Sequence, residues 1–178
     1  MHKTPVTVNV HMDAATFKHF ARFDTFILRR RWRSPAIFAA ILTGFSIVAF
    51  LMQGRAEQAE LIAWLLLVIG LGLPAAYFLH FEVQLSGQVR RLSIKKPRPA
   101  YFVTLTEDGV RVVNNMGKEP PLTFSWSDVH AVHRRRAALY LYHTENRAFI
   151  LPEKDASVSL ATLFDTCAAH LPKEKLHG

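Results

Sequence analysis

Two apolar runs, residues 35–52 and 61–81, contain no Asp, Glu, Lys or Arg and are separated by eight residues. They are about 18 and about 21 residues long, close to the roughly 20 needed to cross a hydrocarbon core of about 30 Å. A lipid core offers no water to satisfy backbone N–H and C=O groups, so segments of this kind fold as helices. The pair predicts a membrane hairpin, with the rest of the 178 residues sufficient for one small domain.

Charge sets the expected orientation. The chain carries a net charge of +8, and nine of its 22 Lys and Arg residues lie in two clusters beside the apolar runs. Arg29, Arg30, Arg31 and Arg33 precede the first run; Arg90, Arg91, Lys95, Lys96 and Arg98 follow the second. The connecting loop, residues 53–60, holds one Arg and two Glu. The positive-inside rule then puts both chain ends in the cytoplasm and the loop outside. Topology accounts for most of the basicity, so nucleic acid is not an expected partner. Residues 1–11 are polar and the first apolar run begins too late for a secretory signal. The single Cys167 has no internal partner, fits a reducing compartment and reads as a small apolar residue on a helix.

Ahead of the hairpin, Val6, Val8 and Val10 alternate with polar residues, the period of a strand with one buried face. A strand this short does not stand alone and is expected to join a sheet elsewhere. Asp13 is placed to cap a helix beginning at Ala14. Phe17, Phe20, Phe23 and Ile27 form an apolar stripe opposite Lys18, Arg22, Thr25 and Arg29. That stripe suits either the membrane surface or a face of the folded domain. Ser34-Pro35 reads either as a helix start or as a kink in one long helix running on from the amphipathic segment, with Trp32 as an interfacial anchor.

Within the first span Ala36, Ala40 and Gly44 recur every four residues; the second span offers Gly72 and Ala76. In lipid, small residues at this spacing allow close helix approach, with either the other helix of the hairpin or a second copy of the chain as partner. Pro74 is expected to bend the second helix. The absence of charge within both spans argues against a transport pathway.

After Pro99 the character changes to short alternating strands. They run from Tyr101 through a turn at Glu107-Asp108-Gly109, on to Asn114, then over residues 122–125, 129–133, 138–142 and 148–151. A turn is expected at Asn114-Asn115-Met116-Gly117, and Arg134, Arg135 and Arg136 are read as a hairpin tip. A helix over 157–171 closes the chain, with Leu160, Leu163, Phe164 and Cys167 on its apolar face. Several strands and one amphipathic helix describe an antiparallel half-barrel plugged by a helix, an α+β unit.

The order of these parts, with residues 102–112 (FVTLTEDGVRV), 124–132 (FSWSDVHAV), 139–143 (LYLYH) and 148–160 (AFILPEKDASVSL), resembles the YcxB-like bacterial membrane proteins. The resemblance implies a bacterial inner-membrane location and a C-terminal domain related to pleckstrin-homology (PH)-like folds. It carries no catalytic residues. The expected organisation is a strand and amphipathic helix over 1–33, a hairpin over 34–82, a basic linker over 83–98 and a PH-like cytoplasmic domain over 99–172.

Chemistry-bearing motifs are absent. No nucleophile elbow, P-loop, dinucleotide turn, HExxH or Cys pair occurs. His130 and His133, three apart on a strand, face opposite sides, and the strand histidines are read as exposed; no metal or other cofactor is expected. Trp126 is expected beneath the sheet and Asp128 as a local cap acceptor. Arg134, Arg135 and Arg136, with the arginines before the first span, are candidate contacts for anionic headgroups. The expected function is a non-catalytic inner-membrane protein presenting its domain to a protein partner or the lipid surface. The alternatives are an oligomeric pore or transport subunit assembled through Ala36, Ala40 and Gly44, and a membrane enzyme with a motif not visible here.

Overall fold

The computed structural model describes residues 5–54, 58–115 and 120–178. Arg55 and Glu57 of the connecting loop, and Met116 and Gly117 of the expected turn, lie outside the described residues. The chain forms two compact units, Met1–Phe20 with Ile94–Gly178, and Ala21–Ser93. The first strand joins the sheet domain, as expected of a strand too short to stand alone, and that unit also takes in residues through Phe20 and from Ile94.

In the first unit, β1 (Val6–Met12) pairs antiparallel with β2 (Arg98–Leu105) from Val6↔Leu105 to Met12↔Arg98. The sheet continues through β3 (Gly109–Asn114) and β4 (Leu122–Ser125) in the order β1-β2-β3-β4. A second sheet has the order β7-β6-β5-β8, from β5 (Ala131–Arg135), β6 (Ala138–Thr144), β7 (Arg147–Pro152) and the short β8 (Leu176–His177), which runs parallel to β5. Between β2 and β3, a Cβ on Gly109 would lie 2.3 Å from the Phe124 carbonyl oxygen, so the close approach of β4 requires glycine there.

The alternation in β1 does what its period demands. Val8 and Val10 are fully buried, in one core with Val103, Leu105, Val110, Val132, Leu139, Leu141 and Leu151. Burying two valines contributes about 3–6 kcal/mol of transfer free energy. The other edge of β1 is held as well. Val8 bridges to Ala156, the His11 amide donates to Asp155 Oδ2 at 2.8 Å, and Lys154 pairs with Asp13. Tyr101 joins the two sheets: its hydroxyl donates to the Ile150 carbonyl at 3.1 Å and accepts from the Ile150 amide at 2.8 Å.

α1 (Ala14–Arg22) begins as expected at Asp13, whose Oδ1 accepts from the Thr16 amide at 2.7 Å. Burial pushes the Asp13 carboxyl up, but Lys154 and Thr16 outweigh it and hold it at about 2. Phe20 packs edge-on against Tyr140 at 5.2 Å and lies 6.3 Å from Tyr142, so this residue of the stripe covers the second sheet. The C-terminal helix is α4 (Leu160–Ala168), shorter than the expected 157–171, with Ser159 as its N-cap. Leu160, Leu163 and Cys167 enter the core, and burial pushes the Cys167 thiol up to about 12.

In the second unit, α1 runs on into a π-helical turn, Phe23–Leu28. The wider turn shifts the stripe: Ile27, expected on the apolar face, is exposed, while Phe26 packs on Phe78 and Phe81 at 5.4 and 4.6 Å. Two helices follow that are long and apolar enough to cross a membrane, α2 (Arg33–Leu51) and α3 (Ala59–Arg91). The first starts at Arg33 with Trp32 as N-cap and no side-chain cap, not at a Ser34 cap as the sequence suggested. At 1.5 Å per residue they are about 28 Å and about 50 Å long. The longer one includes most of the expected 83–98 linker and is helical through Pro74. Ile37, Phe45, Leu61 and Leu79 are among many large apolar side chains exposed on them, unlike the core helices of a water-soluble domain.

α2 and α3 pack through residues other than the expected small ones. Ala36, Ala40, Gly44, Gly72 and Ala76 are all exposed, and a Cβ on Gly44 or Gly72 would meet nothing within 4 Å. Close approach occurs at Gly70, where a Cβ would lie 2.8 Å from the Leu42 Cβ. The buried Ser46 hydroxyl donates to the Ala63 carbonyl at 2.8 Å, which satisfies it without water. The four-residue spacing identified a real small-residue stripe, but helix rotation turned it outward. Beyond the apolar part of α3, Glu82 receives a two-pronged ion pair from Arg22 at 2.7 and 2.8 Å.

Gly70→Leu is therefore expected to destabilise the helix pair by about 1–3 kcal/mol through overpacking against Leu42. Gly44→Leu is expected to leave it unchanged, as read by thermal unfolding of the full chain in detergent.

Candidate functional site

The β5–β6 hairpin reaches further along the strands than the sequence suggested. Pairing extends to Arg135↔Ala138, so the turn is Arg136-Ala137, and Arg134 and Arg135 belong to β5. Side chains alternate along a strand, which separates these two arginines. Arg134 faces α4, its guanidinium carbon 6.0 Å from the Phe164 ring centre. Arg135 turns to the opposite face, where its charge acts on His133 and Tyr140.

The hairpin turn is held against the end of β7, where the Glu153 amide donates to the Ala137 carbonyl at 3.0 Å. Nearby, the Ser159 hydroxyl oxygen accepts from the Thr162 amide at 3.2 Å and starts α4. Together these elements border an open, shallow cleft of about 470 Å³, lined by residues 134–136, Glu153, residues 159–161 and Gly178. Its charged lining residues are Arg134, Arg135, Arg136 and Glu153, with the Arg135 side chain directed to the other face of β5. The first turn of a helix has N–H groups without intrahelical partners and a partial positive charge. The cleft therefore has a basic rim and a floor that includes the start of α4. Sequence reading found the arginines and missed Glu153, Ser159, Leu160 and Ala161. The Ser-x-x-Thr capping pattern marks the helix start, but only the β6–β7 register brings it beside Arg136.

The other candidate arginines lie in the second unit. Arg29 pairs with Asp24 at 2.9 Å, Arg30 has a left-handed backbone with φ of 51°, and Arg31 and Arg33 are exposed. The hairpin-tip arginines and these four belong to different units, and each set stands alone as a basic surface.

Histidines occupy three environments. His133 is buried, not exposed as expected, and stacks on His177 of β8 at 4.5 Å. Its burial, and then the charges of His177, Arg135 and His130, lower its pKa to about 4. His143 stacks on Phe124 at 4.3 Å, while His130 remains exposed. Among the described residues no three His, Cys, Asp or Glu side chains come together as a metal set. Trp126 is buried, donates through Nε1 to the Thr106 carbonyl at 3.0 Å and stacks on His170 at 4.9 Å. Asp128 accepts from the Ser125 hydroxyl at 2.8 Å and from the Ser125 amide at 3.1 Å, and these bonds hold its carboxyl below the usual range. It caps the turn that begins at Ser125.

Family models, curated proteins and solved structures were all compared with the chain, and none matches it.

His133 is expected to make the domain acid-sensitive. The unfolded chain takes up the imidazole proton near pH 6.5, whereas the folded site resists it until about pH 4. No penalty exists above pH 6.5, and stability falls as pH drops from there towards 4. Between pH 7.5 and 5 the loss is expected to be on the order of 1–2 kcal/mol. His133→Gln is expected to flatten this slope in thermal unfolding of the full chain in detergent.

Proposed function

We propose that this chain is a non-catalytic, membrane-tethered interaction module of the bacterial inner membrane, built on a YcxB-like plan. In this reading α2 and α3 cross the bilayer and both chain ends are cytoplasmic. The sheet domain is a PH-like half-barrel closed by α4, and it is offered to a protein partner or to the lipid surface. One observation carries the reading. The chain leaves the first sheet after Met12 and returns to it at Arg98, and these two residues are register partners.

Strands that pair must lie on the same side of a bilayer. The segment between them then crosses an even number of times, and two apolar helices supply that number. Basic residues at 29–33 and 90–98 favour the cytoplasm for that side. Two packed sheets of four strands and a terminal helix support the PH-like comparison. Insertion between β1 and β2 gives the sheet domain two chain connections to the helices, at neighbouring strand ends. A second reading, an oligomeric membrane component, draws on Ala36, Ala40 and Gly44 being turned away from α3.

Gln53→Cys and Glu174→Cys test the topology, since both positions are exposed and the native Cys167 is fully buried. With a membrane-impermeant maleimide, Gln53→Cys is expected to label in intact cells and Glu174→Cys only after permeabilisation. The reverse pattern would overturn the orientation, and equal behaviour at both positions would overturn the crossing.

A further inference from the structure

We infer that the cleft between the β5–β6 turn and the start of α4 is a binding site for a phosphate-bearing ligand. Arg134 and Arg136 supply the charge, and the α4 amides complete the contact. Arg136, in the turn, and Arg134, at the end of β5, both line the cleft, and Arg134 lies over Phe164 of α4. Packing against Phe164 also limits the freedom of the Arg134 side chain, so less entropy is lost when it grips a ligand.

Guanidinium groups match phosphate oxygens in a two-pronged geometry, which a carboxylate or chloride fills less well. Ser159 caps the Thr162 amide, so the amides of Leu160 and Ala161, one and two residues into the helix, remain for an anion. The cleft volume of about 470 Å³ is within the range of small-molecule sites and exceeds the needs of a bare ion. A phosphate carrying a small polar group, such as a glycerol phosphate, fits this chemistry.

Glu153 is the opposing feature. Its carboxylate lies on the same cleft and repels an anion. Binding is therefore weaker than the arginines alone would give, and removing Glu153 should strengthen it. This sign is useful, because a variant that merely disturbs the fold would not bind more tightly.

The phosphate comes from a lipid headgroup or from a free metabolite. The lipid source rests on the membrane-tethered reading above; the soluble source does not. The test uses the full chain in maltoside micelles, which carry no phosphate, titrated with glycerol 1-phosphate and followed by thermal unfolding. Wild type is expected to show a saturable rise in Tm. R134Q/R136Q is expected to weaken the midpoint at least about tenfold. E153Q is expected to tighten it several-fold, and R111Q, on an exposed β3 position, to match wild type.

An equal rise with sodium chloride at the same ionic strength would overturn the site. So would unchanged midpoints in both cleft variants. Repeating the titration in phosphatidylglycerol nanodiscs separates the sources. Loss of the soluble effect there assigns the cleft to the lipid headgroup, and an undiminished effect assigns it to a free phosphate compound. If maleimide labelling fails while the micelle titration succeeds, the tethered reading falls and the phosphate site stands.

Discussion

The antiparallel pairing of β1 with β2 governs the architecture. It closes a sheet across residues 13–97, a separation that includes both long apolar helices. Two short strands so far apart would not find each other through local preference. Closing such a loop costs entropy that grows slowly with length, and burial of Val8 and Val10 together with the β1 edge contacts offsets it. Asp155 and Ala156 meet β1 on the edge that β2 leaves open, and Lys154 pairs with Asp13 just past its end. The strand is thus bound on both sides, and its removal would expose a long apolar seam in the first sheet.

Polar satisfaction is arranged around that seam. Tyr101 spends its hydroxyl on both backbone groups of Ile150, linking β2 to β7 where no ladder exists. Trp126 reaches the Thr106 carbonyl, and Asp128 closes its own turn with Ser125. Each is a buried or turn-forming polar group satisfied by a partner within the domain. The cleft differs. Its charges are mostly of one sign, and the arginine that faces it is oriented by a ring, not by a carboxylate.

Features set by solvent or by local geometry were legible in the sequence. A membrane crossing demands long uncharged runs, so two helices long and apolar enough for one were visible, and a period of two marked β1, β2 and β3. Asp13 and Asp128 act through atoms within three residues, so their cap roles were readable too. Features set by how elements rotate or meet were not. The stripe Ala36, Ala40, Gly44 has the spacing of a packing face, yet Gly70 and Ser46 make the contact. Ile27 continues the α-helical stripe, but a π-helical turn hands its place to Phe26. His133 looked like an exposed strand residue because β8, the two-residue strand that covers it, has no signature of its own. Glu153 and Ser159 join the arginines only through strand register.

The most direct test of this architecture is amide hydrogen exchange on the full chain in detergent, resolved for residues 6–12. If β1 is an integral strand, the amides it bonds to β2 should be protected to the same degree as those of β2 and β3, and should open with them in one cooperative unit. Exchange of residues 6–12 at the rate of an unstructured peptide, with β2 and β3 still protected, would contradict the insertion of the hairpin into the sheet domain.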